Sequence, residues 1–159
     1  KIAIEPLNRF ETYLFNRCAQ ALALADAVSP ECGVCLDAFH INIEETDMYD
    51  AIRLAGDRLF DFHVADNNRF AAGLGQLDWP KIVSTLKEVG YDGALTNEFV
   101  APVDRTPATM YPDMVETNPV DISPEQLKFI QDHGSSLLTE KFYSDQMRIT
   151  AETLLPLMK

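Results

Sequence analysis

The run Cys35-Leu36-Asp37-Ala38-Phe39-His40-Ile41-Asn42-Ile43-Glu44-Glu45 decides the fold. It opens as a buried strand that ends in a carboxylate, with an imidazole three residues later. Side chains alternate along a strand, so Val34 and Leu36 share one face while Cys35 and Asp37 share the other. Three further strands end in a group of the same kind: Ile2-Ala3-Ile4-Glu5, Phe60-Asp61-Phe62-His63 and Leu95-Thr96-Asn97-Glu98. In each, the terminal polar residue lies on the face opposite the large apolar ones.

The segments between these strands read as helices. Residues 11–28 carry Leu14, Cys18, Leu22 and Ala25 at helical spacing, and Ser29-Pro30 ends them. Residues 47–55 place Met48, Ile52 and Ala55 on one face, with Gly56 as a C-terminal cap. The third strand covers 59–65. A polar loop with Gly73 and Gly75 leads to Asp78, an N-cap, and Pro80 falls in the first turn, where its missing N–H is harmless. Ile82, Val83, Leu86 and Val89 form the buried stripe, Gly90 closes the helix, and the fourth strand covers 93–99. Five prolines then fall within 100–124, the mark of a long loop. Ser123-Pro124-Glu125-Gln126 reads as a helix start, and a last helix is expected over 144–155.

Strand–helix alternation predicts a parallel sheet with right-handed crossovers. Four such units make half of a (β/α)8 TIM barrel. The rival, a doubly wound sheet, favours a glycine-rich phosphate turn after its first strand, whereas these strands end in metal-type ligands. The sequence opens inside a strand, so the 159 residues are expected to be a single domain, the C-terminal half barrel of a longer chain.

The net charge of −12 argues against a nucleic-acid partner and against an anionic membrane surface. No apolar run approaches the roughly 18 residues that cross a bilayer. Cys18, Cys32 and Cys35 make an odd count, which points to reduced thiols and a cytoplasmic setting. Cys32-Gly33-Val34-Cys35 opens a strand rather than a helix, so it reads as small buried residues and not as a redox or zinc motif.

In a barrel the reactive groups stand at the carboxyl ends of the strands. Glu5, Asp37, His63 and Glu98 are separated by 32, 26 and 35 residues, each close to one strand–helix repeat, so all four reach one mouth. Three carboxylates and one imidazole suit a single divalent ion of the Mn, Co or Mg kind. His40, Glu11 and Arg69 are polar residues just beyond strand ends, where binding a ligand and plain solvation are both open readings. His133, before Gly134, reads as a helix-end contact. Gly73-Leu74-Gly75 lacks the third glycine of a dinucleotide loop, and Asp78 would repel a phosphate at the next helix start, which favours an unphosphorylated substrate.

Four stretches, Ile4-Glu5-Pro6-Leu7-Asn8-Arg9-Phe10-Glu11, Leu36 to Glu45, Phe62-His63-Val64-Ala65-Asp66-Asn67-Asn68-Arg69 and Asn97-Glu98-Phe99-Val100, together resemble the D-tagatose/D-psicose (allulose) 3-epimerase family, within the xylose-isomerase-like sugar isomerase/epimerase barrels. The resemblance covers residues 1–100. Pro6 departs from the family's aliphatic residue at that position, and 101–139 match none of its motifs. The resemblance implies that Glu5, Asp37, His63 and Glu98 bind the metal, that Glu5 and Glu98 are also the catalytic acid/base pair, and that Glu11, His40 and Arg69 hold the sugar. It further implies a metal-dependent ketose 3-epimerase acting on a free ketose at C3 through a cis-enediolate. An aldose–ketose isomerase, a hydroxypyruvate isomerase, an inosose dehydratase and a non-catalytic metal- and sugar-binding module are the alternatives. Open sheet edges predict a homo-oligomer or pairing with the N-terminal half.

Overall fold

A computed structural model describes residues 1–100, 124–125 and 140–159. Its centre is a four-stranded parallel sheet of β1 (Ile2–Ile4), β2 (Cys32–Asp37), β3 (Leu59–Val64) and β4 (Leu95–Asn97). The spatial order follows the sequence order, and every pair is parallel. The helices are α1 (Cys18–Val28), α2 (Ala38–Glu44), α3 (Met48–Ala55), α4 (Trp79–Glu88) and α5 (Glu140–Leu154). This is a partial (β/α) barrel of four units, as the alternation predicts. No helix of the described residues is long and apolar enough to cross a membrane.

The two faces of the sheet divide as the alternation requires. Val34, Leu36, Phe62 and Val64 are fully buried against Cys18, Ala21, Ile52, Ala55, Ile82 and Leu86 on the helices. The opposite face carries Glu5, Cys35, Asp37, Asp61 and His63. Registers set the height of each group: Asp37 stands opposite His63, Cys35 opposite Asp61, and Val64 opposite Asn97. A register shift between Val34 and Cys35 produces that alignment. Gly33 lies just below it, where an added Cβ would meet the Phe60 ring and the Arg58 carbonyl.

The caps follow sequence logic. Asp47 accepts from the N–H groups of Tyr49 and Asp50, and Asp78 from that of Lys81 at 3.1 Å. Gly56 ends α3 at φ 52°.

Several boundaries differ from expectation, and β4 is shorter than the expected 93–99 at both ends. α1 starts at Cys18 rather than near residue 11. The Gln20 side chain accepts from the Arg17 N–H, and Glu45 accepts from the Cys18 N–H at 2.8 Å, so the first turn is fixed there. Residues 38–44, which carry no long periodic pattern, form α2 because Asp37 caps them and Ile41 is buried. α5 begins at Glu140, four residues before the expected start. The proline-rich loop after Val100 and His133 lie outside the described residues. Of the helix expected at Ser123, Pro124 and Glu125 are described and helical.

Candidate active site

Asp37 ends β2 and starts α2 at once. Its Oδ1 accepts from the Phe39 N–H at 2.7 Å, which leaves Oδ2 directed into the mouth. His40 sits on the first turn of α2 and is buried, with Nε2 3.8 Å from that Oδ2. His63, at the end of β3, places Nδ1 3.3 Å from Glu5 Oε1 and 3.2 Å from Glu98 Oε2. One coordinating atom from each of Glu5, Asp37, His40 and Glu98 lies within 4.8 Å of the others. A second group with the same spread joins Glu5, Cys35 and His63. The structure thus groups Glu5, Asp37 and Glu98 with His40, while His63 touches Glu5 and Glu98 and falls in the second group with Cys35.

Arg69 connects this cluster to the sugar-holding candidates. Its guanidinium is 3.0 Å from Glu98, 3.4 Å from Asp37, 3.4 Å from Glu11 and 3.2 Å from His40 Nε2. It also stacks over the Phe39 ring at 4.5 Å.

The charges follow from these contacts. Burial pushes the Asp37 carboxyl above the usual carboxylate range, and the neighbouring Glu98 carboxylate adds to the effect. Burial opposes ionisation of Glu98 as well, but the neighbouring Asp37 and the positive His63 and Arg69 hold it low. The neighbouring Cys35 and Glu5 push the His63 imidazolium up to about 11, against burial. Burial and Arg69 hold His40 neutral by lowering its pKa.

Among the described residues, four buried side-chain polar atoms make no hydrogen bond: Glu5 Oε1, Asp37 Oδ2, His63 Nδ1 and Arg69 Nε. Buried polar atoms normally have partners, and leaving one without costs about 1–3 kcal/mol. Three of the four belong to the carboxylate and imidazole set. Octahedral bonds of about 2.1 Å put trans ligands about 4.2 Å apart, so a 4.8 Å cluster closes on a divalent ion with small side-chain shifts. The donor set therefore fits such an ion.

Several contributing residues carry no signal that a single strand or helix reveals. Asn8 donates to His40 Nδ1 from its backbone N–H at 3.2 Å and from Nδ2 at 2.9 Å. The same Nδ2 donates to Glu11, and Oδ1 accepts from Phe10, so the amide orientation is fixed by its neighbours. With Nδ1 an acceptor, the network assigns the His40 proton to Nε2, facing the mouth. Arg9 grips Glu44 on α2 through Nε and Nη2, both at 2.9 Å, and holds the loop after β1 against α2. Asp66 organises the loop that presents Arg69. It is fully buried and accepts from Asn67 N, Leu77 N, Gly73 N and Trp79 Nε1 at 2.8–3.1 Å. A Cβ at Gly75 would collide with Asp66 and Asn67.

Parallel strand–helix units whose strand ends gather carboxylates and imidazoles at one mouth make a partial (β/α) barrel with a candidate metal centre. The chain belongs to the xylose isomerase-like TIM barrel family, whose family model matches residues 1–133. That match runs past residue 100, where the motif resemblance stops. The chain is 44% identical to a D-psicose 3-epimerase of Enterocloster bolteae over 98 residues, covering 61% of this chain and 33% of that protein. It is 34% identical to a D-psicose 3-epimerase of Agrobacterium fabrum over 142 residues, covering 89% of this chain and 48% of that one. The crystal structure of D-psicose 3-epimerase with D-tagatose from Clostridium cellulolyticum H10 superposes with a TM-score of 0.69 at 26% identity, covering 99% of this chain and 49% of that one. The chain therefore spans between a third and a half of the length of the relatives it matches.

Proposed function

We propose that this chain carries the reactive half of a divalent-metal-dependent ketose 3-epimerase. The observation that carries the reading is the cluster of Glu5, Asp37, Glu98 and His40, with His63 against Glu5 and Glu98, beside two hydrogen-bond donors that cannot satisfy each other. His40 Nε2–H and Arg69 Nη1 are 3.2 Å apart, and both donate. A shared acceptor, such as a sugar oxygen, resolves that contact. Glu11 fixes Arg69 from the other side and adds an acceptor for a hydroxyl. The similarity to ketose 3-epimerases supports the substrate class.

Glu5, Asp37, His63 and Glu98 would hold the ion, with manganese, cobalt and magnesium as the candidates. When bound, it supplies positive charge against the negative charge that develops on the sugar oxygens. The chain's own groups do the rest. A carboxylate, Glu5 or Glu98, takes the C3 proton next to the C2 carbonyl and leaves a cis-enediolate. The other carboxylate, protonated, returns a proton to the opposite face. The overall composition does not change. Arg69 keeps Glu98 ionised as a base, while His40 and Arg69 anchor the oxygens so that the sugar does not turn between the two transfers.

The test is solvent exchange at C3. The protein, given manganese, cobalt or magnesium, should exchange the C3 hydrogen of a free ketohexose or ketopentose with deuterium in D2O, read by NMR. Exhaustive chelation or His63→Ala should remove both exchange and metal binding. No exchange across a panel of free ketoses, or full exchange after chelation, overturns the reading.

The assembly follows from the edges. Among the described residues, β1 and β4 each pair on one side only, and Ile2, Phe10 and Tyr13 are exposed. Open edges and an uncovered inner face favour pairing. Further strand–helix units of the same chain, or a second copy, complete the barrel. Expressed alone, the 159 residues should associate, and light scattering should give a mass above one chain; a folded monomer at low concentration contradicts this.

A further inference from the structure

We propose that Cys35, His63 and Glu5 form a second cation position beside the first, one that takes a thiophilic divalent ion such as zinc. Cys35 precedes Asp37 by two residues on the same face of β2, so its thiol lies one layer below the mouth. The β2–β3 register sets Cys35 opposite Asp61 and Asp37 opposite His63, which makes Cys35 and His63 diagonal neighbours. Coordinating atoms of Glu5, Cys35 and His63 all lie within 4.8 Å of one another. A tetrahedral ion with bonds of about 2.0–2.3 Å needs ligand separations of about 3.3–3.8 Å, so closure asks for shifts of about 1 Å. Glu5 Oε1 and His63 Nδ1 are two of the buried atoms without a hydrogen bond. Asp61 stands 3.5 Å from His63 Nε2 and is itself held by Thr96, so the far side of the ring has an orienting carboxylate.

The ligand chemistry separates the two positions. Three carboxylates with an imidazole prefer a hard or borderline ion. A sulfur, a nitrogen and one oxygen prefer zinc, cadmium or cobalt. On binding, the Cys35 S–H bond is replaced by a sulfur–metal bond, and the proton leaves to solvent. Glu5 and His63 serve both positions, so an ion held by Cys35 draws them from Asp37 and Glu98. Zinc is therefore a competitor of the hard ion.

The test uses cobalt as a spectroscopic probe. The full-length metal-free protein is titrated with cobalt(II) chloride, and the near-ultraviolet sulfur-to-cobalt charge-transfer band is followed. The expected result is a saturable band that zinc abolishes, that persists in Cys32→Ala and that disappears in Cys35→Ala. Zinc affinity should fall at least about tenfold in the same variant. Circular dichroism checks the fold of Cys35→Ala, and Cys35→Ser replaces it if it fails. Cobalt binding without the band in the wild-type protein overturns the proposal, as does a band that survives loss of Cys35. If the band is absent while C3 exchange continues, the second position fails and the epimerase reading stands.

Discussion

Glu5→Gln and Glu98→Gln should each lower turnover by about 10²–10⁴-fold, the range of a positioned proton-transfer group. Glutamine keeps the volume and one coordinating oxygen but cannot take or give the proton. Metal binding should therefore weaken less than turnover. The two variants should also differ in kind. Each retains one base, so each should exchange the C3 hydrogen of one epimer with solvent while failing to convert it. Glu5→Gln and Glu98→Gln should select opposite epimers. NMR exchange in D2O on the two separated epimers measures this. Turnover near the wild-type rate in both variants rules out the two-base scheme.

The second large effect is expected far from the proton transfer, at Asp66. Its carboxylate accepts four hydrogen bonds, from Asn67, Leu77, Gly73 and Trp79, with no exposure to solvent. Asp66→Ala strands those donors in a buried site, at about 1–3 kcal/mol for each one that water cannot reach. A loss of about 3 kcal/mol or more should follow, which lowers the melting temperature by roughly 10 °C in a chain of this size. The same change frees the 67–77 loop and should weaken sugar binding through Arg69.

The pH dependence has a definite sign. Burial opposes ionisation of Asp66, but the bonds from Trp79, Leu77, Asn67 and Gly73 outweigh it and depress the pKa. This contribution to stability is complete above the ordinary aspartate value of about 4 and is lost as pH falls through the lowered folded value. Acid unfolding should therefore be steeper in the wild-type protein than in Asp66→Asn. Equal acid limbs for the two, measured by circular dichroism, contradict the assignment.

The strand–helix order was legible because each strand keeps its apolar residues on one parity and each helix on one stripe. Asp78, Pro80 and Gly56 marked their helix ends for local reasons, and they do so in the structure. That strand ends Glu5, Asp37 and Glu98 share one mouth was legible from the similar repeat lengths, but His40 rather than His63 completes their group. What escaped was set by partners distant in sequence. α2 is too short to show periodicity, and its start depends on the Asp37 side chain. Asn8 meets His40 across 32 residues, and neither neighbourhood names the other. The nearness of Cys35 to His63 depends on the strand register, with its shift between Val34 and Cys35. Asp66 stood out only as part of the Phe62–Arg69 stretch; the closed loop is what turns four donors toward it.

Arg69 has φ 65°, and it is the only non-glycine with positive φ among the described residues. A side chain in that region costs about 1 kcal/mol, and glycine pays almost none of it. Backbone preference alone would therefore install glycine here, as at Gly56, Gly73 and Gly90. An arginine at such a position means that the guanidinium, not the turn, is what the sequence retains. The site then carries a built-in opposition between stability and work. Arg69→Gly would ease the turn that Asp66 and Phe70 close while erasing the contacts to Glu98, Asp37, Glu11 and His40. Random stabilisation of this protein without selection for activity would drift toward that variant, and a library screened on heat resistance alone would discard the Arg69 contacts first.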